Sequence, residues 1–141
     1  MKKYQHILLA TDLHADNQPV VEQAIGLVER NNAKLSVVNV SPHIPYYMVS
    51  GVPCISDLES YLEEENIKHL KALEKQITVA AKFYLKHGSP KRKIVKMAAE
   101  LDCDIIVIGS HGHHGVERFL GSTAAGVLQR AHCDVLVIRI K

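Results

Sequence analysis

The stretch "DIIVIG", residues 104–109, decides the fold. Ile105, Ile106, Val107 and Ile108 follow one another without polar alternation, so a strand made of them is apolar on both faces. Strands buried on both faces belong to parallel sheets covered by helices. Three further runs have the same character: "HILLA" (6–10), "LSVVNV" (35–40) and "DVLVIRI" (134–140). A weaker fifth run, "TVAAKFYLK" (78–86), mixes Val79, Phe83 and Leu85 with two lysines.

Helical patterns lie between the strands. Val21, Ala24, Ile25 and Val28 form one apolar stripe, with Asn17 as a cap and Pro19 in the first turn. "SDLE" (56–59) has the form of a capping box. It opens a second helix with Leu58, Leu62, Leu70, Leu73 and Ile77 inward, and Asn66 interrupts that stripe. Ser89-Pro90 opens a third, with Ile94, Ala98 and Leu101 on one side, and Ala124, Val127, Leu128 and Ala131 face inward from a fourth. The order β-α-β-α-β-α-β-α-β predicts an α/β fold, a doubly wound open parallel five-stranded sheet with helices on both faces. Right-handed crossovers leave few topologies, and the one expected has the first strand in the centre, with strands 2 and 3 to one side and 4 and 5 to the other, in the order 3-2-1-4-5. Ligands on such sheets bind beyond the carboxyl ends of the strands, where the order reverses. That crevice lies between the tails of strands 1 and 4, after which come Asp12 and Gly109.

"GSHGHHGVERFLGST" (109–123) begins at that crevice. Its glycines fall as G-x-x-G, eight residues, then G-S-T, which is neither a P-loop nor G-x-G-x-x-G. Gly109 and Gly112 allow a tight turn and a close approach to a bulky anion. Gly121, Ser122 and Thr123 precede the last helix, whose first N–H groups and positive dipole end suit a phosphate. The plainer reading is a capped helix after a surface loop, and spacing alone leaves both open.

The remaining composition narrows the classes. A chain of 141 residues, 47% hydrophobic and 23% charged, is read as a single globular domain over 1–141. A formal charge of +2 is too weak to point to nucleic acid. No window approaches a membrane span, and the opening "MKKYQHILLATD" is read as a strand rather than a signal peptide. Three cysteines without CxxC point to a reducing cytoplasm.

Several residues carry competing readings. His111, His113 and His114 invite a metal, but neighbours on one loop lack a fourth ligand and are better read as polar loop residues near an anion. Cys103 and Cys133 each precede a strand, and buried, inert thiols are preferred over a redox pair. "PKRK" (90–93) is read as a solvated basic face, with an acidic partner as the alternative. "SPHIPYYMVSGVPCIS" (41–56) is long for a connection and is either a lid or a passive crossover.

"GSHGHHGVERFLGSTAAGVLQRAHCDVLVIR" resembles the C-terminal signature of the universal stress protein family. "YQHILLATDLHAD" and "AKLSVVNV" resemble its first and second strands. The resemblance implies a cytoplasmic protein of adenine nucleotide alpha hydrolase-like fold, a homodimer through the C-terminal strand, and membership of the ATP-binding subgroup. The gap in the glycine pattern is one residue shorter here than in the family's usual form. By the resemblance, Ala10, Thr11 and Asp12 line the ribose and phosphate side, with Asp12 available to Mg2+. Val40 meets adenine through its backbone. Gly109, Ser110, His111 and Gly112 border ribose and phosphates, and Gly121, Ser122 and Thr123 hold the phosphates. No catalytic residue is assigned, because a P-loop lysine and a base for positioning water are missing. The expected function is therefore ATP binding in a stress response, with slow or no hydrolysis. Two alternatives stay open. One is a dimeric interaction protein that binds no nucleotide. The other is a weak ATPase or phosphotransferase in which Asp12 holds the metal and a loop histidine or Arg118 stabilises charge.

Overall fold

The computed structural model describes residues 3–12, 17–41, 55–110 and 120–140, with 55–63 described in backbone only. Among the described residues nine elements follow in the expected alternation: β1 (His6–Ala10), α1 (Gln18–Asn31), β2 (Lys34–Ser41), α2 (Ile55–Gln76), β3 (Ala81–His87), α3 (Pro90–Glu100), β4 (Ile105–Gly109), α4 (Ser122–Arg130) and β5 (Asp134–Ile138). They build one five-stranded sheet in the order β3-β2-β1-β4-β5. All four pairings are parallel, with β1 matched to β2 from His6↔Lys34 to Ala10↔Val38 and to β4 from Ile7↔Ile105 to Ala10↔Ile108.

The unalternating runs are explained by two core layers. Ile7, Leu9, Leu35, Val37, Ile105 and Val107 face one side, where Val20, Ala24, Leu27 and Val28 of α1 and Leu73 of α2 cover them. Leu8, Ala10, Val38, Ile106 and Ile108 face the other, under Ile94, Met97 and Ala98 of α3 and Ala124 and Val127 of α4. Each such aliphatic side chain contributes about 1.5–3 kcal/mol when removed from water. β5 alternates as its sequence requires, with Leu136 and Ile138 on the α1 side and Val135 and Val137 on the α4 side.

The structure corrects several boundaries. β3 starts at Ala81 rather than Thr78 and runs on to His87, because Ile77 is still tied to α2 by its N–H to Leu73 O (3.1 Å). α2 begins at Ile55, so Ser56 lies inside the helix rather than at its cap. Leu128 is 46% exposed on α4, and Gly126 takes the buried place beside Val127. β5 leaves the ladder after Ile138, although Ile140 is buried again (5% exposed).

Candidate functional site

β1 ends where its neighbours still continue, and the chain is secured there by side chains. Thr11 is 7% exposed. Its N–H donates to Val38 O (3.0 Å) and its carbonyl accepts from Asn39 Nδ2 (2.8 Å). Its hydroxyl accepts from Asn17 Nδ2 (2.6 Å), and the same amide donates to Asp12 Oδ1. Asn17 occupies the cap position of α1 without capping it. The amide that sequence assigned to the helix start instead orients the carboxylate at the tail of β1.

β2 outlasts β1. The β1 pairing stops at Ala10↔Val38, while β3 pairs with β2 as far as Ser41↔His87. Val38 O faces β1, since Thr11 N–H reaches it. Main-chain groups alternate sides along a parallel strand. The N–H and C=O of Val40, two residues on, therefore point to the same side, over the space β1 has left. Ser41 O faces the other way and accepts from Gly88 N–H (2.9 Å). Ala10 itself is 4% exposed in the core layer below, so it supports the site from beneath.

Bonds from Ser110 knot the tail of β4. Ser110 N–H donates to Ile138 O (2.8 Å), and its carbonyl accepts from Gly121 N–H (2.6 Å). Its hydroxyl accepts from Ile140 N–H (3.0 Å). The Gly121 bond sets the start of α4 against the end of β4. Gly121 stands at the cap of α4 with φ −62° and, as a glycine, brings no side chain of its own to that terminus. Ser122 is exposed and Thr123 half-buried in its first turn. A helix start presents N–H donors and the positive end of the dipole.

Gly109 has a packing reason to be glycine. A Cβ there would stand 2.4 Å from Ile140 Cδ1 and 3.4 Å from Val20 Cγ2. The close approach at this position is therefore made by the core side chain of Ile140.

The structure thus gathers Thr11, Asp12, Val40, Gly109, Ser110, Gly121, Ser122 and Thr123 at the carboxyl end of the sheet. His111, Gly112, His113, His114 and Arg118 lie outside the described residues, as does the 42–54 stretch. Asn39 and Ser41 were not singled out by sequence. The only signal for Asn66 was its interruption of an apolar stripe: its Nδ2 donates to Ser41 Oγ (3.0 Å). Among the described residues no group of three or more His, Cys, Asp or Glu could hold a metal. Asp12 suits Mg2+ only as magnesium usually sits beside nucleotides, on one carboxylate with the remaining sites taken by phosphates and water.

Two other candidates fall elsewhere. Cys103 and Cys133 lie at the opposite end of the sheet, ahead of adjacent strands. Burial, and after it the nearby Cys133, Asp104 and Asp102, push the Cys103 thiol up to about 12, which suppresses its nucleophilic form. In the basic cluster, the Lys91 stem lies over α4, its Cδ 2.5 Å from where a Gly126 Cβ would stand, so part of that cluster packs α3 against α4.

A five-stranded 3-2-1-4-5 sheet with polar groups gathered at the switch point defines a doubly wound α/β domain whose crevice lies at the carboxyl ends of β1 and β4. The model of the universal stress protein family matches residues 3–139, and the chain belongs to that family. It is 38% identical to universal stress protein A homolog 1 of Coxiella burnetii, across 98% of both chains. The solved universal stress protein UspA from Lactobacillus plantarum superimposes with a TM-score of 0.83 at 26% identity, covering 99% of this chain and 100% of that one. Two more distant structures share the fold. A universal stress protein in complex with cAMP has a TM-score of 0.63 at 24% identity, covering 97% and 98% of the two chains. The Archaeoglobus fulgidus universal stress protein in complex with dAMP has 0.67 at 23%, covering 99% and 100%. No helix among the described residues is long and apolar enough to cross a membrane.

Proposed function

We propose that this chain is a cytoplasmic stress-response protein that binds ATP between the tails of β1 and β4 and holds it with slow or no hydrolysis. The observation that carries this reading is the Ser110–Gly121 bond of 2.6 Å, which brings the glycine-headed start of α4 to the tail of β4, next to the strand that ends in Thr11 and Asp12. Phosphate gains N–H donors and a favourable dipole at such a terminus. Val40 N–H and C=O offer one acceptor-donor pair to a base edge, and Asp12 stands ready for Mg2+ or a ribose hydroxyl. The cAMP and dAMP complexes of the two structural neighbours support an adenine nucleotide as the ligand class.

Calorimetric titration with MgATP tests the placement. Gly121→Val suits it, because φ −62° is open to any residue. The variant should keep its fold and lose ten-fold or more in affinity, about 1.4 kcal/mol. Unchanged affinity would remove the phosphates from α4. Single-turnover phosphate release then separates a holder of ATP from a weak ATPase.

A second reading has its own support. The glycine at position 109 is accounted for by Ile140 without any ligand, which suits a dimeric interaction protein with an empty crevice. Homodimerisation through β5 belongs to both readings. Among the described elements β5 is an edge strand, and an apolar edge invites pairing about a two-fold axis. Sedimentation at roughly tens of micromolar should show a dimer, and a monomer there would end that part of the proposal.

A further inference from the structure

Asn39 is an amide on a strand face otherwise lined by Leu35 and Val37, and it is 6% exposed. A buried amide without partners costs free energy that an apolar residue would not, so its retention needs a reason. Its bonds supply one. Thr11 O only accepts, so Asn39 presents Nδ2 to it (2.8 Å). Oδ1 then turns to Ser41, whose single proton goes to it (3.2 Å). That leaves Ser41 Oγ to accept from Asn66 Nδ2 (3.0 Å) on α2. Each member has one role compatible with its neighbours, so the chain of bonds has one arrangement. It ends on the Thr11–Asp12 peptide, beyond the last β1–β2 ladder pair. Asn17 grips the same unit from α1 through Thr11 Oγ1 and Asp12 Oδ1.

We propose that Asn66, Ser41 and Asn39 are positioning residues through which α2 sets the Asp12 carboxylate. None of them needs to touch the ligand. The links at Asn66 and Ser41 are half-buried and the last one, Asn39 to Thr11, is buried, so a break at Asn66 is passed inward along linked bonds that polarise one another. The inference rests on the reading of Asp12 as a contact of bound MgATP, and its test is built to stand apart from that reading.

The test uses Asn66→Ala and Ser41→Ala, which cut the chain at different links, in the full-length protein. The first readout needs no ligand. The Asp12 carboxyl carbon and backbone amide resonances should shift in both variants, while the Asp104 carboxyl carbon at the other end of the sheet stays in place. The second is MgATP affinity, which should fall about three-fold or more in each single variant. In an Asp12→Ala background, Asn66→Ala should add nothing. Asp12 resonances that do not move in either variant overturn the proposal, and so does a loss that adds in full to that of Asp12→Ala. A wild-type protein that ignores MgATP overturns the ATP reading alone, and the resonances then decide this one.

Discussion

At the N-terminal end of the sheet, Asp104 Oδ2 accepts from Gln5 N–H and, at 3.4 Å, from His6 N–H. Asp134 Oδ2 accepts from Tyr4 OH (2.8 Å), and His6 uses Nδ1 on Leu101 O (3.0 Å) and Nε2 on Ser36 Oγ (2.8 Å). These groups satisfy main-chain donors and acceptors where β1 enters the sheet. At the C-terminal end, Asp12 is held by a neutral amide, and Thr11 by two more contacts of the same chemistry. An amide orients a carboxylate without adding charge to it. Both ends satisfy main-chain groups, but the lower end uses carboxylates as the acceptors, whereas the upper end leaves a carboxylate oriented by an amide. On the proposed reading, that difference separates a structural cluster from a site in one small domain.

Substitutions can break this comparison. The largest effect is expected from Gly109→Val, which drives side-chain carbon into Ile140 in the core layer under α1. Overpacking should lower stability by about 3 kcal/mol, read as a reduced urea midpoint. Asp104→Ala should lower it by about 2 kcal/mol by leaving two strand-entry N–H groups without their carboxylate, while MgATP affinity of the folded fraction holds. Asp12→Ala should do the reverse, with a urea midpoint within about 0.5 kcal/mol of wild type and MgATP affinity down about ten-fold. Equal destabilisation by the two Asp variants would erase the distinction between the ends.

The smallest effect concerns pH at the lower end. The Cys103 thiol is held at about 12 against an ordinary 9.0. A raised value means the folded state keeps its proton after the unfolded chain has lost it. The contribution is therefore complete below pH 9 and declines as pH rises toward 12. Between pH 8 and pH 10 the wild type should lose about 1 kcal/mol more than Cys103→Ala, measured by urea unfolding at each pH. Parallel pH curves for the two proteins would deny the burial effect.

The sequence made the sheet legible because its evidence is local. Unbroken apolar runs announce doubly buried strands, and the switch point follows from topology, so Asp12 and Gly109 could be located by counting. Gly121 was likewise visible as a helix start. Contacts made across the fold left no such trace. Asn39 meets a carbonyl 28 residues away and Asn66 a hydroxyl 25 away, and no spacing rule links them. Asn17 was misread for the same reason: a cap residue by position, it turned backward to Thr11 and Asp12. Gly109 carried a true signal with an incomplete cause, since Ile140 approaches it from the end of the chain. Leu128 followed the helical period, yet α4 buries Gly126 against the Lys91 stem and leaves Leu128 outside.

Val40 has a consequence for genetics. Its N–H and C=O, turned to the side β1 vacates, are the same for every amino acid except proline. On the proposed reading, the base would be recognised by a part of the protein that codon changes scarcely alter. A side-chain scan across the crevice is then expected to return silence at position 40, and replacing that valine is expected to leave the proposed nucleotide preference fixed.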